Sequence, residues 1–406
     1  MSTSTGPVTL ADVLAAQAVL DGVVRVTPLE GSRPLSDRVG GPVYLKCENL
    51  QRAGSFKIRG AYLRISRLTE EQRRHGVVAA SAGNHAQGVA LAASLLGTTA
   101  TVFMPSGAPL PKLEATRAYG AHIHIAGHTV DEALVEASAY AEQTGAVLIH
   151  PFDHPDIVAG QGTLGLEIVE QCPDVRTVVV CTGGGGLLAG TAVAVRSLRP
   201  DAKIVGVQAE GAAAYPPSLA AGRPVPLPGM ATMADGIAVG CPGDLPFALV
   251  CDHVDDVVTV SEESLSRALL LCLERAKLVV EPAGAAGVAA VMDRPWEFEP
   301  PVVVVLSGGN IDPLLMLRVL RHGLAAAGRY QAVHVRMPDR PGALAGLLAT
   351  LAETDANVLD VVHTRVDPRL RLDEVDVSVQ IETRGTEHLD EVMARLRGVG
   401  YVVTSG

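Results

Sequence analysis

Residues 178–190 read VVVCTGGGGLLAG, an apolar run followed by four glycines and then by residues suited to a helix. A buried strand that turns directly into a helix is the building unit of a parallel, helix-covered sheet. Four adjacent glycines lose much conformational entropy when they are ordered, which favours a functional loop over a flexible turn. Their amides can wrap an anion at a helix N-terminus. Because no Lys-Ser/Thr pair follows and the spacing is not GxGxxG, the sequence predicts a phosphate cradle that is not a P-loop.

Similar short apolar runs alternate with helical stretches on both sides of this segment. The predicted strands are Val43–Lys46, Val77–Ser81, Thr101–Met104, His122–Ile125, Thr177–Cys181, Ile204–Gln208 and Val302–Leu306. The predicted helices between the early strands are Gly60–Leu68, His85–Leu96 and Leu110–Tyr119. This alternation predicts an α/β fold with doubly wound parallel sheets. Ligands of such sheets bind where strands end in Gly-rich turns, so those turns are the candidate site.

One loop before a predicted helix carries a lysine. Residues 54–61 read GSFKIRGA, and Lys57 lies among small residues that favour an amine held in a pocket. Desolvation lowers the pKa of a buried lysine, and a neutral amine can attack an aldehyde. Alone, the segment is also compatible with a solvated lysine after a turn. The other loops decide between the two interpretations.

Two further Gly-containing loops follow predicted strands. Residues 81–88 read SAGNHAQG, where amides before a helix can bind a carboxylate and Asn84 can donate to a phenolic oxygen. A simple helix cap by Ser81 or Asn84 remains an alternative. In the second loop, LSGGN at 306–310, Ser307 can bond a heterocyclic nitrogen without adding a full charge.

The pattern changes after residue 321. Residues 322–330 are predicted to end a helix and form a short linker. Strands and helices then alternate as βαββαβ over about seventy-five residues, which is typical of a ferredoxin-like unit. The predicted strands are Ala332–Met337, Val358–Val366, Glu374–Glu382 and Tyr401–Val403, and the helices Pro341–Glu353 and Thr386–Arg397.

Composition excludes several classes of protein. The formal net charge of -11 disfavours general affinity for nucleic acids, and 48% hydrophobic residues suffice for substantial cores. We expect no signal peptide and no membrane-spanning segment, because no basic region precedes an apolar core and no apolar run is long enough. The six cysteines show no CxxC spacing, so we expect reduced thiols in a cytoplasmic protein.

The loops occur in the order found in the fold-type II pyridoxal-phosphate enzymes, the tryptophan synthase β-like family, and within it they resemble the threonine ammonia-lyases. Over roughly residues 10–320 the shared motifs are GSFKIRGA, SAGNHAQG, TGGGGLLAG (182–190), MADGIA (233–238), VEPAG (280–284) and LSGGN. The segment DRPGAL (339–344) resembles an ACT domain. The resemblance implies a two-lobed catalytic domain over residues 1–322 with a smaller lobe at about 50–153. A linker at 323–330 and an ACT-like regulatory domain at 331–406 would follow.

The resemblance also implies roles for individual residues, with pyridoxal 5'-phosphate as the cofactor. Lys57 would form the Schiff base beside Phe56 and act as the catalytic base, Asn84 would bond the ring hydroxyl, and Ser307 would face the pyridine nitrogen. The phosphate would be held by Gly183, Gly184, Gly185, Gly186 and the amide of Leu187. The carboxylate of the substrate would be surrounded by Ser81, Gly83, Asn84 and His85.

The predicted reaction is β-elimination and deamination of L-threonine to 2-oxobutanoate and ammonia, and of L-serine to pyruvate. A serine racemase or a 3-hydroxyaspartate dehydratase is the alternative within the family. Racemases of this group place a second serine where this chain has Ala82, and they build a cation site whose first ligand Glu210 matches, although no acid follows at 214–217. Both departures favour deamination without a metal. An amino-acid sensor with a vestigial catalytic fold is the alternative from another class.

The C-terminal domain is expected to regulate the enzyme. The resemblance implies a small amino-acid effector, isoleucine first and valine next, because isoleucine is the end product of the biosynthetic pathway. The effector would bind at Asp339, Gly342, Ala343 and Leu344. A domain that serves only oligomerisation is the alternative. The family also implies a homotetramer or homodimer.

Overall fold

The computed structural model describes residues 7–365 and 370–405. The chain separates into two compact units, with the boundary between Leu315 and Met316. Predictions that involve residues 1–6, Val366 or residue 406 lie outside the described residues. No helix in the described ranges combines the length and the apolar character needed to cross a membrane.

The first unit is an α/β structure. Its strands are β1 (Leu29–Gly31), β2 (Val43–Lys46), β3 (Val77–Ala80), β4 (Ala100–Met104), β5 (His122–Ile125), β6 (Val147–Leu148), β7 (Thr177–Cys181), β8 (Lys203–Ala209), β9 (Asp256–Val260) and β10 (Val302–Val305). Its helices are α1 (Leu10–Leu20), α2 (Arg33–Val39), α3 (Lys57–Ser66), α4 (Glu70–His75), α5 (Asn84–Leu95), α6 (Leu110–Ala118), α7 (Val130–Thr144), α8 (Pro155–Gln171), α9 (Gly186–Leu198), α10 (Tyr215–Ala221), α11 (Asp244–His253), α12 (Glu262–Leu271) and α13 (Pro282–Asp293). Helix α14 (Pro313–Ala326) contains the boundary between the units.

Two sheets organise this unit. The six-stranded sheet has the order β1-β2-β10-β7-β8-β9, in which β1 pairs antiparallel and the other neighbours pair parallel. The four-stranded sheet, β5-β4-β3-β6, is parallel and lies within residues 50–153. Every residue of β3, β4, β7 and β10 is buried, as expected for parallel strands covered on both faces. The predicted α/β class with parallel sheets is confirmed.

Helix α3 begins earlier than the sequence indicates. It was expected from Gly60, but its first residue is Lys57. Glycine disfavours a helix interior, which is why Gly60 reads as a boundary. A Cβ on Gly160 of α8 would lie 2.7 Å from the Cα of Gly60, so the two glycines let the helices touch at their backbones. The crossing is compatible with a helix that runs through Gly60, so Lys57 is the first residue of α3 rather than part of a loop.

The second unit has the predicted βαββαβ order. Its elements are β11 (Tyr330–Pro338), α15 (Ala343–Ala352), β12 (Asn357–Thr364), β13 (Glu374–Glu382), α16 (Thr386–Val399) and β14 (Val402–Ser405), and its antiparallel sheet has the order β12-β13-β11-β14. Burial alternates along β13, so one face of the sheet covers the core. Helix α15 begins after Gly342 rather than at Pro341, because Gly342 caps the helix with φ 88°.

Four buried charges anchor the start of α3. Arg59 donates from Nε and Nη2 to Glu48 at 2.8 Å, and its Nη1 lies 2.7 Å from Glu167 Oε1. Lys46 Nζ lies 2.5 Å from Glu167 Oε2. Burial by itself would raise the pKa of Glu48, but the guanidinium of Arg59 outweighs it and holds that pKa below its usual value. Glu48 therefore stays ionised, and its pair with Arg59 fixes a residue two positions after Lys57.

Candidate active site

The lysine loop and the serine loop are paired through their backbones. Phe56 N donates to Ser307 O at 3.1 Å, Gly309 N donates to Gly54 O at 2.9 Å, and Ser55 and Gly308 form an isolated antiparallel bridge. Ser307 follows β10, so these bonds place the start of α3 at the carboxyl edge of the six-stranded sheet. Two segments that are far apart in sequence, around residues 54–56 and 307–309, thus form one wall of the site.

Lys57 has the environment expected of a reactive amine. Its Nζ donates to Pro151 O at 3.0 Å and lies 5.1 Å from the centre of the Phe56 ring, and the residue remains partly exposed. Burial lowers the pKa of Lys57 to about 8, against the opposing influence of Cys181 and Glu281. About a tenth of the amine is therefore neutral at pH 7 and about half at pH 8, and Lys57 remains partly exposed.

This pKa predicts how the cofactor-free protein reacts with pyridoxal phosphate. The rate of covalent attachment should rise about tenfold for each pH unit below about pH 8 and level off above it, because only the neutral amine attacks an aldehyde. Stopped-flow absorbance would follow the reaction. A rate that keeps climbing toward the ordinary lysine value of 10.5 would contradict a desolvated Lys57.

The four glycines form a tight loop between β7 and α9. Gly185 has φ 100° and precedes the first residue of α9, which is Gly186, while Leu187 is the second. A Cβ on Gly184 would overlap the ring of Phe152, and one on Gly185 would overlap the hydroxyl of Tyr215. Any side chain at these two glycine positions would therefore clash with the residues that line the loop. The amides of the first helical turn, including that of Leu187, have no intrahelical partner and can receive an anion.

Two buried hydroxyl groups near the loops have no hydrogen-bond partner among the described residues. They are Ser55 Oγ and the Tyr215 hydroxyl. A phosphate in the Gly-rich loop would lie close to the Tyr215 hydroxyl, which borders Gly185. Since buried polar groups are normally paired, these hydroxyls suit a bound anion or polar ring. The residues present therefore fit a phosphorylated cofactor.

Replacing Gly185 with alanine should weaken cofactor binding by at least about tenfold, because the new methyl group meets Tyr215 in a left-handed backbone conformation. Equilibrium titration with pyridoxal phosphate measures the dissociation constant. Gly222→Ala is the matched control: φ is 65° there and nothing lies within 4 Å of the new Cβ. Equal affinity of the two variants would show that the cradle tolerates a side chain.

The loop before α5 presents backbone amides. Ser81 Oγ accepts from Gly83 N at 3.1 Å, and α5 begins at Asn84 after Gly83. His85 is buried, and its Nε2 lies 2.7 Å from Ile149 O. Burial and then the charge of Lys57 lower the pKa of His85 to about 3, so its neutral imidazole donates to that carbonyl. Because the ring is engaged with Ile149, the group of His85 that can bind a carboxylate is its backbone N–H in the first turn of α5.

Several residues of the site had no role in the sequence analysis. The Ser307 hydroxyl receives a hydrogen bond from the Cys181 thiol at 3.1 Å, and burial raises the pKa of Cys181 to about 11, which keeps the proton on sulfur. Asn84 Nδ2 donates to Glu281 Oε1 at 2.5 Å, and Asn84 Oδ1 accepts from Asn310 at 2.8 Å. Glu281 and Asn310 lie in the motifs VEPAG and LSGGN. A polar residue beside the glycines of these motifs was the sequence signal that could have identified them as site residues.

The four predicted regulatory residues lie together in the second unit. They border a cavity of about 410 Å³ whose wall also includes Met337, His363, Arg365 and Val375. Arg365 Nε donates to Asp339 at 2.8 Å across the rim. The cavity combines a carboxylate, a guanidinium and apolar side chains, the chemistry that suits a zwitterion with an aliphatic side chain.

An amine of lowered pKa beside an anion cradle suits a cofactor that carries both an aldehyde and a phosphate, and the fold and site define a pyridoxal-phosphate-dependent enzyme. Comparison with protein families agrees: residues 20–308 match the family described as pyridoxal-phosphate dependent enzyme, and residues 332–399 match the ACT domain. The chain is 48% identical over 98% of its length to the L-threonine ammonia-lyase of Thermotoga maritima, of which it covers 99%. It belongs to the family of the threonine ammonia-lyases.

Solved structures of related enzymes share the fold of the first unit. Threonine deaminase isoform 2 from Solanum lycopersicum has a TM-score of 0.74 at 37% identity and covers 78% of this chain, with 95% of its own chain matched. Maize serine racemase has the same TM-score and identity, with coverages of 79% and 99%. The fold is therefore common to eliminating and racemising enzymes, and the site residues must distinguish them.

Proposed function

We propose that this enzyme deaminates L-threonine to 2-oxobutanoate and ammonia, and L-serine to pyruvate. The relatives named L-threonine ammonia-lyase support the substrate. The observation that carries the reaction type is that Lys57 offers a neutral amine while the facing loop offers no comparable base. His85 is bonded to the Ile149 carbonyl, and Ala82 has no proton to exchange. One proton carrier suits elimination, whereas racemisation needs a second on the opposite face.

The bound cofactor supplies an aldehyde for the amine of the substrate and an electron-accepting ring that acidifies the Cα–H. The loop at Ser81, Gly83, Asn84 and His85 would hold the carboxylate of the substrate through the first-turn amides of α5. Lys57 would take the Cα proton, for which a pKa near the working pH is suited. Ser307 would bond the ring nitrogen as a neutral group, and Gly183 to Leu187 would hold the phosphate.

A serine racemase is the second candidate, because the maize enzyme is 37% identical and matches 79% of this chain. Steady-state assays with L-threonine, L-serine and D-serine distinguish the two. We expect 2-oxobutanoate from L-threonine and pyruvate from L-serine, with no D-serine detected by chiral chromatography. Interconversion of the serine enantiomers at a rate similar to pyruvate formation would favour the racemase. No turnover of any substrate and no visible cofactor band would favour an amino-acid sensor.

We also propose that residues 331–406 act as a regulatory domain, after a catalytic domain at 1–322 and a linker at 323–330. The cavity beside Asp339 would take an amino-acid effector, with isoleucine the first candidate and valine the second. The ammonium of the effector would face Asp339, its carboxylate Arg365, and its side chain the apolar wall near Leu344. We further propose that the protein is a cytoplasmic homotetramer or homodimer. Sedimentation equilibrium would measure the mass of the assembly.

Removing the chain from Tyr330 onward should leave threonine deamination intact and abolish the response to isoleucine. Asp339→Asn should weaken the response in the full chain by about tenfold, since it removes one charged hydrogen-bond partner. Asp355→Asn is the control, because Asp355 is exposed on the same unit and its ion pair with Arg384 is long, at 3.7 Å. Inhibition retained without residues 330–406 would refute the regulatory proposal but not the proposed reaction.

A further inference from the structure

Glu281 is a buried carboxyl group that the proposed reaction does not yet use. It directly precedes α13 and is 2% exposed. Its Oε1 accepts from Asn84 Nδ2 at 2.5 Å, whereas its Oε2 has no hydrogen-bond partner among the described residues. An unpaired carboxyl oxygen in a buried site is costly unless a proton or a ligand satisfies it.

The bond to Glu281 fixes the orientation of the Asn84 amide. Asn310 Nδ2 donates to Asn84 Oδ1 at 2.8 Å and to the Ala53 carbonyl at 2.7 Å, so it holds the oxygen end. Glu281 accepts one of the two hydrogens at the nitrogen end. The amide cannot flip without losing both bonds, and one N–H of Asn84 is left to donate to a ligand.

The carboxyl group of Glu281 also lies against the serine loop. A Cβ on Gly308 would overlap Glu281 Oε1, and one on Gly236 would lie 3.6 Å from the same atom. A side chain at Gly308 would therefore displace the carboxyl group, whereas one at Gly236 would only contact it. Glu281 is thus packed between the loop that carries Ser307 and the loop of the MADGIA motif.

The charges that face Glu281 come from several elements. Burial and then Asp235 raise the pKa of Glu281, while Lys112, the Asn84 hydrogen bond and Lys57 lower it, and the balance leaves that pKa at about 7. The negative charge of Glu281 in turn helps to raise the pKa of the buried Cys181 thiol. Lys112 is itself paired with Asp235 at 2.5 Å, which reduces the influence of both on Glu281. Protonation of this carboxyl group therefore changes the charge of the site near neutral pH.

We propose that Glu281 is a positioning residue that holds the Asn84 amide toward the cofactor ring with one carboxyl oxygen and sets the charge of the cofactor pocket with the other. The inference rests on the proposed role of Asn84 as a donor to the ring hydroxyl. Ionised Glu281 favours Asn84 as a donor and adds negative charge near Lys57. Protonated Glu281 removes that charge, so the electronic spectrum of the bound cofactor should respond to its titration.

Visible absorbance of the holoenzyme between about pH 5.5 and pH 9 tests the charge. The wild-type enzyme should show a spectral step near neutral pH, and Glu281→Gln should lose that step while it binds the cofactor within about threefold of wild type. Glutamine can still accept from Asn84 but has no charge to titrate. Glu210→Gln, on an exposed acid, should keep the step. A step that persists in Glu281→Gln would overturn the proposal.

A double-mutant cycle tests the positioning. Glu281→Ala should raise the dissociation constant of pyridoxal phosphate by about tenfold, since it frees the Asn84 amide, but by less than about threefold when Asn84 is already alanine. Fully additive losses would show that Glu281 does not act through Asn84. The proposed reaction is judged separately, because wild-type enzyme that forms no 2-oxobutanoate would refute it whatever the cycle gives.

Discussion

Lys57→Ala is expected to lower the rate of 2-oxobutanoate formation from L-threonine by at least about a thousandfold. The variant loses the amine that would join the aldehyde of the cofactor and take the Cα proton. His85 is no ready substitute, because its ring is bonded to Ile149 O. Coupled assays of 2-oxo acid formation measure the rate, and visible absorbance reports whether cofactor is attached.

Lys203→Ala is the matched control for this experiment. Lys203 begins β8, at the amino end of the strand, whereas the site lies at the carboxyl ends, and its Nζ donates to Glu297 O at 3.3 Å. Its loss should change the rate by less than about threefold. If Lys57→Ala retained a tenth or so of wild-type activity with a normal fold by circular dichroism, Lys57 would not be the catalytic amine.

Arg59→Met should destabilise the protein by about 3–5 kcal/mol, because it leaves Glu48 and Glu167 buried with Lys46 as their remaining cation. Methionine fills much of the volume, so the loss reports on charge rather than on a cavity. Removing the guanidinium also releases the pKa of Glu48 from the influence that lowers it, and burial then raises that pKa. A carboxyl group whose folded pKa lies above its unfolded value costs stability at higher pH and less in acid, so the stability deficit of the variant relative to wild type should shrink as the pH falls.

Urea unfolding followed by circular dichroism measures the difference, with Arg33→Met as the control. Arg33 pairs with Asp37 at 3.7 Å, but the two side chains are 89% and 71% exposed, so the pair should contribute about 0–1 kcal/mol. Equal stability of the two variants would mean that the buried cluster is not held as an ionised network. A cofactor titration of Arg59→Met would show in addition whether the start of α3 has moved.

Much of the fold could be predicted because it depends on local patterns. The strands at Val43–Lys46 and His122–Ile125 match their predicted bounds, and the antiparallel strand Glu374–Glu382 does so too. The start of α3 was missed, because a glycine that serves a backbone contact with α8 looks locally like a helix breaker. Helix-to-helix distance is a tertiary property, and no local pattern encodes it.

In the candidate site, too, some features could be predicted from local sequence and others could not. Gly-rich turns after predicted strands indicated the cradle, the loop at residues 81–88 and the serine loop, because such turns lie at the carboxyl edge of a parallel sheet. The partners of the site were not predictable. Glu281 and Asn84 are 197 residues apart, and Cys181 and Ser307 are 126 residues apart.

The sequence alone thus determined the α/β architecture, the C-terminal βαββαβ unit and the position of the glycine run at residues 183–186. Those features follow from hydrophobic period and backbone freedom, which are local properties of a chain. Only the tertiary structure decided that the Lys57 amine loses much of its hydration, that the His85 ring is bonded to a carbonyl, and that Glu281 orients Asn84. Burial and hydrogen-bond geometry depend on which distant segments meet, and folding alone brings them together.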